Sequence, residues 1–132
     1  RMSEEVKIKI GSAYPLENEL ETTVRGRHLV TNIPQVVVVK SEEIREALAE
    51  AIDRIVQSVL QTLERTPPEL AADIIDRGIF LTGGGALIKG LDDRLKEATN
   101  LPINIVEDPL TAVVRGTGAV LENIVGYRKV LI

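Results

Sequence analysis

The sequence predicts an α/β fold in two sections that meet near Thr66. The second section runs helix, strand, glycine turn, helix, strand and helix, an order that indicates a parallel α/β sheet. The first section contains a valine run at residues 36–39 and ends in a long amphipathic stripe over residues 44–63. β-Branched runs favour strands, and apolar steps of three and one favour a helix with one buried face. We therefore expect a small α+β section followed by a partial parallel α/β layer.

The first section is predicted to be a helix followed by a β-hairpin. In residues 3–10, Val6 and Ile10 lie four apart, as on one face of a helix, whereas Ile8 falls off that face. Residues 20–24 alternate apolar and polar side chains, as a half-buried strand does, and residues 35–40 carry the valine run. The predicted turn between them is bracketed by Gly26 and residues 32–34, and His28 is interpreted as a hairpin residue.

The longest predicted element is a helix that begins after Ser41. Ser41 is a favourable N-cap residue, and Glu42 and Glu43 place negative charge near the positive end of the helix dipole. The apolar stripe covers roughly 24 residues, or roughly 36 Å of helix. We expect this helix to pack across the hairpin and to link the two sections.

Capping and turn residues set the predicted bounds of the second section. Thr66, Pro67 and Glu69 form a capping-box pattern for a helix that ends near residue 76. The predicted elements after it are a buried strand at residues 79–82, a helix that follows the glycines directly and ends at Asn100, a strand at 103–106 and a helix at 110–124.

Composition excludes several classes of function. The chain has 132 residues, a formal net charge of −4, no cysteine, one histidine and 2% aromatic residues. An acidic chain with few aromatic faces is unsuited to nucleic acid, and a chain without cysteine has no disulfides and no thiolate metal sites. No apolar run approaches the roughly 20 residues that span a bilayer. We expect a soluble cytosolic polypeptide, and the start at Arg1 ahead of Met2 suggests a piece of something longer.

The glycine triplet at residues 83–85 is the sharpest local feature. A strand that ends in glycines and turns into a helix exposes backbone amides that phosphate can approach closely. The triplet is not a Rossmann fingerprint, because Ile88 stands where the third glycine is required. It is not a P-loop, because Leu91 and Asp92 follow Gly90 in place of Lys and Ser or Thr. On spacing alone, a tight turn is favoured over a nucleotide site.

Other polar residues have both a structural and a functional interpretation. Glu4 and Lys7 lie three apart on the first helix, where a surface ion pair is favoured over a grip on a polar ligand. Asp92 and Asp93 have no third carboxylate nearby in sequence, so a solvated face is favoured over a metal site. Glycines at 116 and 118 suggest close helix packing. No nucleophile, base and orienting group can be assembled, so no catalytic residue is predicted.

Five segments of the chain carry a resemblance to known proteins. They are residues 6–15, 41–48, 66–78, 79–86 and 107–112 with 116–118. In this order, the segments resemble the MreB family, the bacterial actin-like proteins that determine rod shape. The similarity spans nearly the whole chain and is weakest at residues 17–39 and after residue 123.

The resemblance implies the C-terminal part of an actin-like, ribonuclease H-like ATPase fold. Residues 1–66 would form the small subdomain IIB, and residues 67–132 would form the C-terminal portion of subdomain IIA. The family binds ATP with Mg²⁺ and polymerises into cytoplasmic, membrane-associated filaments that organise cell-wall synthesis. The implied partners are further copies of the protein and cell-wall synthesis and morphogenesis proteins, with membrane association through parts outside this chain and no nucleic acid.

Seven residues are implied to face the nucleotide. The glycine turn would hold the adenosine and the α-phosphate, the two apolar residues after it would lie near the adenine, and the family's Glu-x-x-Lys pair would contact the nucleoside. In this sequence the set is Gly83, Gly84, Gly85, Leu87, Ile88, Glu4 and Lys7.

The resemblance also implies what these residues lack. The family's phosphate-binding hairpins, metal-positioning acidic residues and hydrolytic carboxylate lie in an earlier half of the protein. We therefore expect one wall of a nucleotide cleft, with no metal ligand, no tight nucleotide binding and no ATP hydrolysis by the chain alone. Two alternatives stay open, a free-standing protein-interaction module and a piece of a chaperone-type ATPase of the same superfamily. Residues 66–78 favour the MreB family over the chaperones.

Overall fold

The structure is a computed structural model that describes residues 1–130. These residues form five α-helices and two small sheets. The helices are α1 (Met2–Ile10), α2 (Ser41–Glu64), α3 (Pro68–Arg77), α4 (Leu91–Thr99) and α5 (Ala112–Glu122), and the strands are β1 (Glu21–Arg27), β2 (Pro34–Lys40), β3 (Ile79–Leu81) and β4 (Ile103–Ile105). Two short 3₁₀ turns cover Gly84–Leu87 and Arg128–Val130. None of the helices in residues 1–130 combines the length and the apolar character needed to cross a bilayer.

The first sheet is the predicted hairpin. β1 and β2 pair antiparallel, from Glu21 opposite Lys40 to Arg27 opposite Pro34. β1 continues through residue 26, which the sequence analysis assigned to the turn, because that glycine pairs across the ladder with residue 35. The turn begins at His28, whose Nδ1 accepts hydrogen bonds from the amides of residues 30 and 31 at 3.3 and 3.2 Å. His28 is therefore a hairpin residue, as expected.

The start of α2 differs from the prediction for Ser41. The N-cap residue is Lys40, whose amide donates to Glu43 Oε2 at 2.8 Å, and Ser41 is already helical. The Ser41 side chain is fully buried; its Oγ accepts from the Leu20 amide at 2.9 Å and donates to the Glu19 carboxylate. Ser41 therefore fastens the loop before β1 to the base of α2, a long-range role that a local capping pattern does not predict.

An ion pair completes this junction. Arg45 Nη2 lies 2.7 Å from Glu19 Oε1, and Arg45 Nη1 donates to Ser12 Oγ at 2.9 Å. The hydrogen bond from Arg45, followed by that from Ser41, lowers the pKa of the Glu19 carboxyl from 4.5 to about 2. The folded loop therefore stabilises the ionised carboxylate of Glu19.

The core lies where α2 crosses α4 and the second sheet. Ile52 and Val56 of α2 pack with Leu91 and Leu95 of α4 and with Ile103 of β4. Each of these side chains is nine-tenths or more buried. α2 also contacts β2, so one helix joins the hairpin to the second section, as predicted.

The second sheet has the predicted parallel order. β3 and β4 pair with Ile79 opposite Ile103 and Leu81 opposite Ile105. The prediction of a buried strand is wrong for Phe80, which is 60% exposed, because alternate side chains of a strand face opposite sides of the sheet. Within residues 1–130, only the side of β3 that carries Ile79 and Leu81 packs against the core.

The capping box predicted for α3 does not form. α3 begins at Pro68, with Pro67 as the N-cap residue and no side-chain cap. The Thr66 hydroxyl donates instead to the carbonyl of Thr62 at 2.7 Å, on the last turn of α2. The two proline residues, rather than a capping side chain, therefore set the start of α3.

α5 carries an apolar face that is largely uncovered within residues 1–130. Val113 and Val114 are 70% and 72% exposed. A Cβ at Gly116 or Gly118 would meet no atom within 4 Å, so the close packing predicted for these glycines is not made by the described residues. The helix also starts at Ala112, two residues later than predicted, since the preceding residues form a turn.

Candidate functional site

A cleft of about 380 Å³ lies between α1 and the glycine turn. It brings together six of the seven residues implied by the resemblance, all except Gly83. It also includes Ile8 and Leu110, which the sequence analysis did not propose. The full lining is Glu4, Lys7, Ile8, Gly84, Gly85, Leu87, Ile88 and Leu110.

The α1 wall of the cleft presents one acidic, one basic and one apolar side chain. Glu4 and Lys7 share a helix face, as their spacing predicts, but no ion pair joins them within the described residues. Neither side chain makes a hydrogen bond to another residue in the range 1–130, which argues against the surface-pair interpretation. Ile8 is 67% exposed and lies on the same wall, and its spacing of four from Glu4 is the signal that could have identified it.

The glycine wall differs from the predicted strand-to-helix junction. The three glycines lead into the 3₁₀ turn Gly84–Leu87, and α4 begins only at Leu91. Hydrogen bonds of a 3₁₀ turn run from residue i+3 to residue i, so the amides of Gly84 and Gly85 have no acceptor within the turn. Two amides at the mouth of a cleft are a suitable group for an anionic oxygen.

The three glycines have different structural roles. Gly83 has φ +81°, a conformation that side chains disfavour, and its amide donates to the Pro109 carbonyl at 2.8 Å. A Cβ at Gly84 would lie 3.3 Å from Leu110 Cδ2, whereas a Cβ at Gly85 would meet nothing within 4 Å. Gly83 therefore shapes the turn, and Gly85 leaves open space beside the cleft.

Apolar side chains form the rest of the walls. Leu87 and Leu110 are 55% and 66% exposed, and together with Ile8 and Ile88 they give the cleft hydrocarbon surfaces on both sides. A flat aromatic ring can lie between such surfaces, while polar groups at the edge bind its substituents. The arrangement therefore suits an amphipathic ligand that carries a flat ring and an anionic group.

The described residues do not form a metal site. No three acidic or histidine side chains of residues 1–130 come close enough together to hold a metal ion. Asp92 and Asp93, considered as a metal site from the sequence, lie in the first turn of α4 and belong to no such cluster. The candidate site is therefore the cleft between α1 and the glycine turn, without a cluster of metal-binding side chains among the described residues.

A family model described as MreB/Mbl protein matches residues 1–129. The chain belongs to the MreB/Mbl family. The cell shape-determining protein Mbl of Bacillus subtilis is 47% identical over 123 residues, which are 93% of this chain and 37% of that protein. The cell shape-determining protein MreB of Escherichia coli K12 is 50% identical over 122 residues, 92% of this chain and 35% of that protein. The chain thus spans just over a third of the length of these MreB/Mbl relatives.

Two crystal structures of MreB5 of Spiroplasma citri share the fold. The structure bound to ADP matches with a TM-score of 0.87 and 40% identity over 93% of this chain and 37% of that chain. The structure bound to AMPPNP matches with a TM-score of 0.86 and 37% identity over 99% of this chain and 39% of that chain. The family resemblance and the actin-like α/β fold are therefore confirmed. The subdomain boundary near residue 66 stays a prediction.

Proposed function

We propose that this chain forms the nucleoside-facing wall of an adenine-nucleotide site in a filament-forming, cell shape-determining protein. The observation that carries the proposal is the cleft, which places Glu4 and Lys7 of α1 opposite Gly84 and Gly85 although some 80 residues separate them in sequence. The ADP and AMPPNP bound in the related MreB5 structures support a ligand of this class.

Each wall has a separate role in this proposal. The adenine ring lies between the hydrocarbon surfaces of Ile8, Leu87 and Ile88. The Glu4 carboxylate accepts hydrogen bonds from ribose hydroxyls, and the Lys7 ammonium donates to ligand oxygens. The amides of the glycine turn donate to the nearest phosphate oxygens. Mg²⁺ supplies charge neutralisation to nucleotide phosphates, but the described residues do not fit a Mg²⁺ site, so the proposal places no metal on this chain.

An NMR titration of the ¹⁵N-labelled chain with ADP tests the proposal. We expect weak binding, with chemical-shift changes at Gly84, Gly85 and Lys7 that saturate together. Inorganic phosphate is the control for simple anion binding and should not shift the α1 amides. If saturating ADP does not change the chemical shifts of Gly84, Gly85 and Lys7, the nucleotide role is refuted. Tight binding or ATP turnover by the chain alone would instead contradict our expectation that it holds only part of a site.

Exposed apolar surface supports self-association as the second part of the proposal. Leu29 and Val30 at the hairpin tip are 100% and 87% exposed, and α5 leaves its valines uncovered. Such surface favours contact with other protein surfaces, including further copies of the protein. The free-standing interaction module remains the competing interpretation, since it uses the same surfaces without a nucleotide. Cytoplasmic, membrane-associated filaments and contacts with cell-wall synthesis proteins stay predictions.

Sedimentation velocity over a range of concentrations tests self-association. We expect the chain to associate and Leu29→Asp to shift the distribution towards monomer. Glu46→Asp, a conservative change on exposed α2 surface, is the control and should leave the distribution unchanged. A chain that stays monomeric at high concentration would argue against association through these surfaces.

A further inference from the structure

Lys89 follows the glycine-turn wall of the cleft in sequence and bonds to α1, which forms the opposite wall. Its Nζ donates to the carbonyl of Lys9 at 3.0 Å and lies 3.4 Å from the carbonyl of Ile8, both in the last turn of α1. Its own backbone carbonyl accepts from the amide of Ala13 at 2.8 Å, and it forms an isolated parallel bridge with Ser12. Lys89, which follows the glycine turn, thus binds the last turn of α1 through its side chain and the residues just after α1 through its main chain.

The chemistry of the contact is favourable at this position. The last carbonyls of a helix have no partner within the helix and carry the negative end of its dipole, so an ammonium group is well placed there. Lys89 is only partly exposed, and its hydrogen bonds to α1 bridge 80 and 81 residues of sequence. Arg45 also donates from its side chain near this end of α1, but to Ser12 Oγ and the Tyr14 carbonyl, which lie beyond the last carbonyls of the helix.

The neighbours of these contacts form the cleft itself. Ile8, whose carbonyl lies near the ammonium, puts its side chain in the α1 wall. Ile88, directly before Lys89, puts its side chain in the opposite wall. A shift of the Lys89 contact therefore changes the separation between Glu4 and Lys7 on one side and the glycine amides on the other.

We infer that Lys89 is a positioning residue that sets the width of the adenine-nucleotide cleft without touching the ligand. The inference rests on the proposed function for its ligand, but the geometry it describes can be measured without nucleotide. Loss of the ammonium leaves the main-chain bond to Ala13, so α1 stays attached and its angle to the glycine turn becomes variable. A variable cleft lowers the population of the binding arrangement and weakens binding in the same proportion, by roughly three- to tenfold.

Pulsed EPR distance measurements test the geometry. The chain has no cysteine, so spin labels attach only at the introduced Ser3→Cys on α1 and Asp93→Cys on α4. The distance between the two labels reports the separation of α1 from the segment that follows the glycine turn. We expect a narrow distance distribution in the otherwise unsubstituted chain, a broad one with Lys89→Met, and recovery with Lys89→Arg. Lys96→Met removes an exposed ammonium from α4 and is the matched control, which should leave the distribution narrow.

ADP titration of the unlabelled variants completes the test. Lys89→Met should reduce the shift changes at Gly85 and Lys7 at a given ADP concentration, and Lys89→Arg should restore them. A purely structural role predicts that folded Lys89→Met binds ADP as the unsubstituted chain does, with an unchanged distance distribution; that result overturns the inference and leaves the proposed function intact. Absence of ADP binding by the unsubstituted chain overturns the proposed function and, with it, the role of Lys89 in nucleotide binding.

Discussion

Replacing Gly85 by valine separates nucleotide binding from folding. A Cβ at Gly85 would meet no atom within 4 Å, and Gly85 does not have a positive φ. The first side-chain carbon is therefore accommodated without a clash or backbone strain. We expect the free energy of unfolding to change by no more than about 0.5 kcal/mol. The same side chain occupies open space beside the cleft and keeps a phosphate oxygen away from the amide.

The size of the binding defect follows from the hydrogen bond that is lost. A hydrogen bond to a charged group contributes about 1.5–3 kcal/mol, and each 1.4 kcal/mol is a factor of ten in affinity, so Gly85→Val should weaken ADP binding by about 10- to 150-fold. Gly83→Val should behave differently. At φ +81° any side chain costs about 1–3 kcal/mol of stability, so this variant loses stability as well as binding.

ADP titration by NMR and urea denaturation of the same samples provide the two readouts. Gly26→Val is the matched control, because a Cβ at Gly26 also meets nothing within 4 Å but lies in β1, outside the cleft. We expect Gly26→Val to retain both binding and stability. Equal ADP affinity in Gly85→Val and the unsubstituted chain would refute the reasoning that places phosphate at the glycine turn.

Three further predictions concern stability. Leu95 is 1% exposed in the core, so Leu95→Ala should lower the free energy of unfolding by about 2–5 kcal/mol in urea denaturation, and a loss well under 1 kcal/mol would contradict the proposed core. The pKa of Glu19 falls from 4.5 to about 2 on folding, so its stabilising contribution is present above pH 4.5 and is lost as the pH falls towards 2. The stability difference between the unsubstituted chain and Glu19→Gln should therefore shrink across that interval, and a pH-independent difference would argue against the Arg45 contact. Gly78 has φ +78°, and a Cβ there would collide with the Pro102 carbonyl, so Gly78→Ala should lower the thermal midpoint, whereas unchanged melting would show that β3 enters its sheet differently.

Sequence pattern predicted most of the elements because their signals are local. The valine run, the apolar stripe of α2 and the apolar segments after the glycines each determine a backbone preference within a few residues, and all of these elements form. Helix starts were predicted less well. Thr66 and Ser41 both have the chemistry of N-cap residues, yet each hydroxyl binds a different partner because the folded chain offers one nearby.

The sequence predicted most residues of the candidate site, but it did not predict how they are arranged around the cleft. Glu4, Lys7 and the glycine turn were proposed from a family resemblance, whereas spacing alone favoured an ion pair and a tight turn. Ile8 was missed because it lies off the face that Val6 and Ile10 share. Leu110 was missed because it was assigned to the start of a helix, whereas it lies in the turn before α5. Both residues line the cleft because the fold brings α1 and the turn before α5 to the two sides of the glycine turn.

The sequence by itself determined the elements, the parallel order of the second section and membership of the MreB/Mbl family. These depend on side-chain periodicity, turn chemistry and segment similarity, which are properties of neighbouring residues. Only the tertiary structure decided that Glu4 and Gly85 face one cleft, that Ser41 is a buried anchor and that Lys89 bonds to the end of α1. These contacts join residues far apart in sequence, so they depend on how the elements pack against one another and not on any local preference.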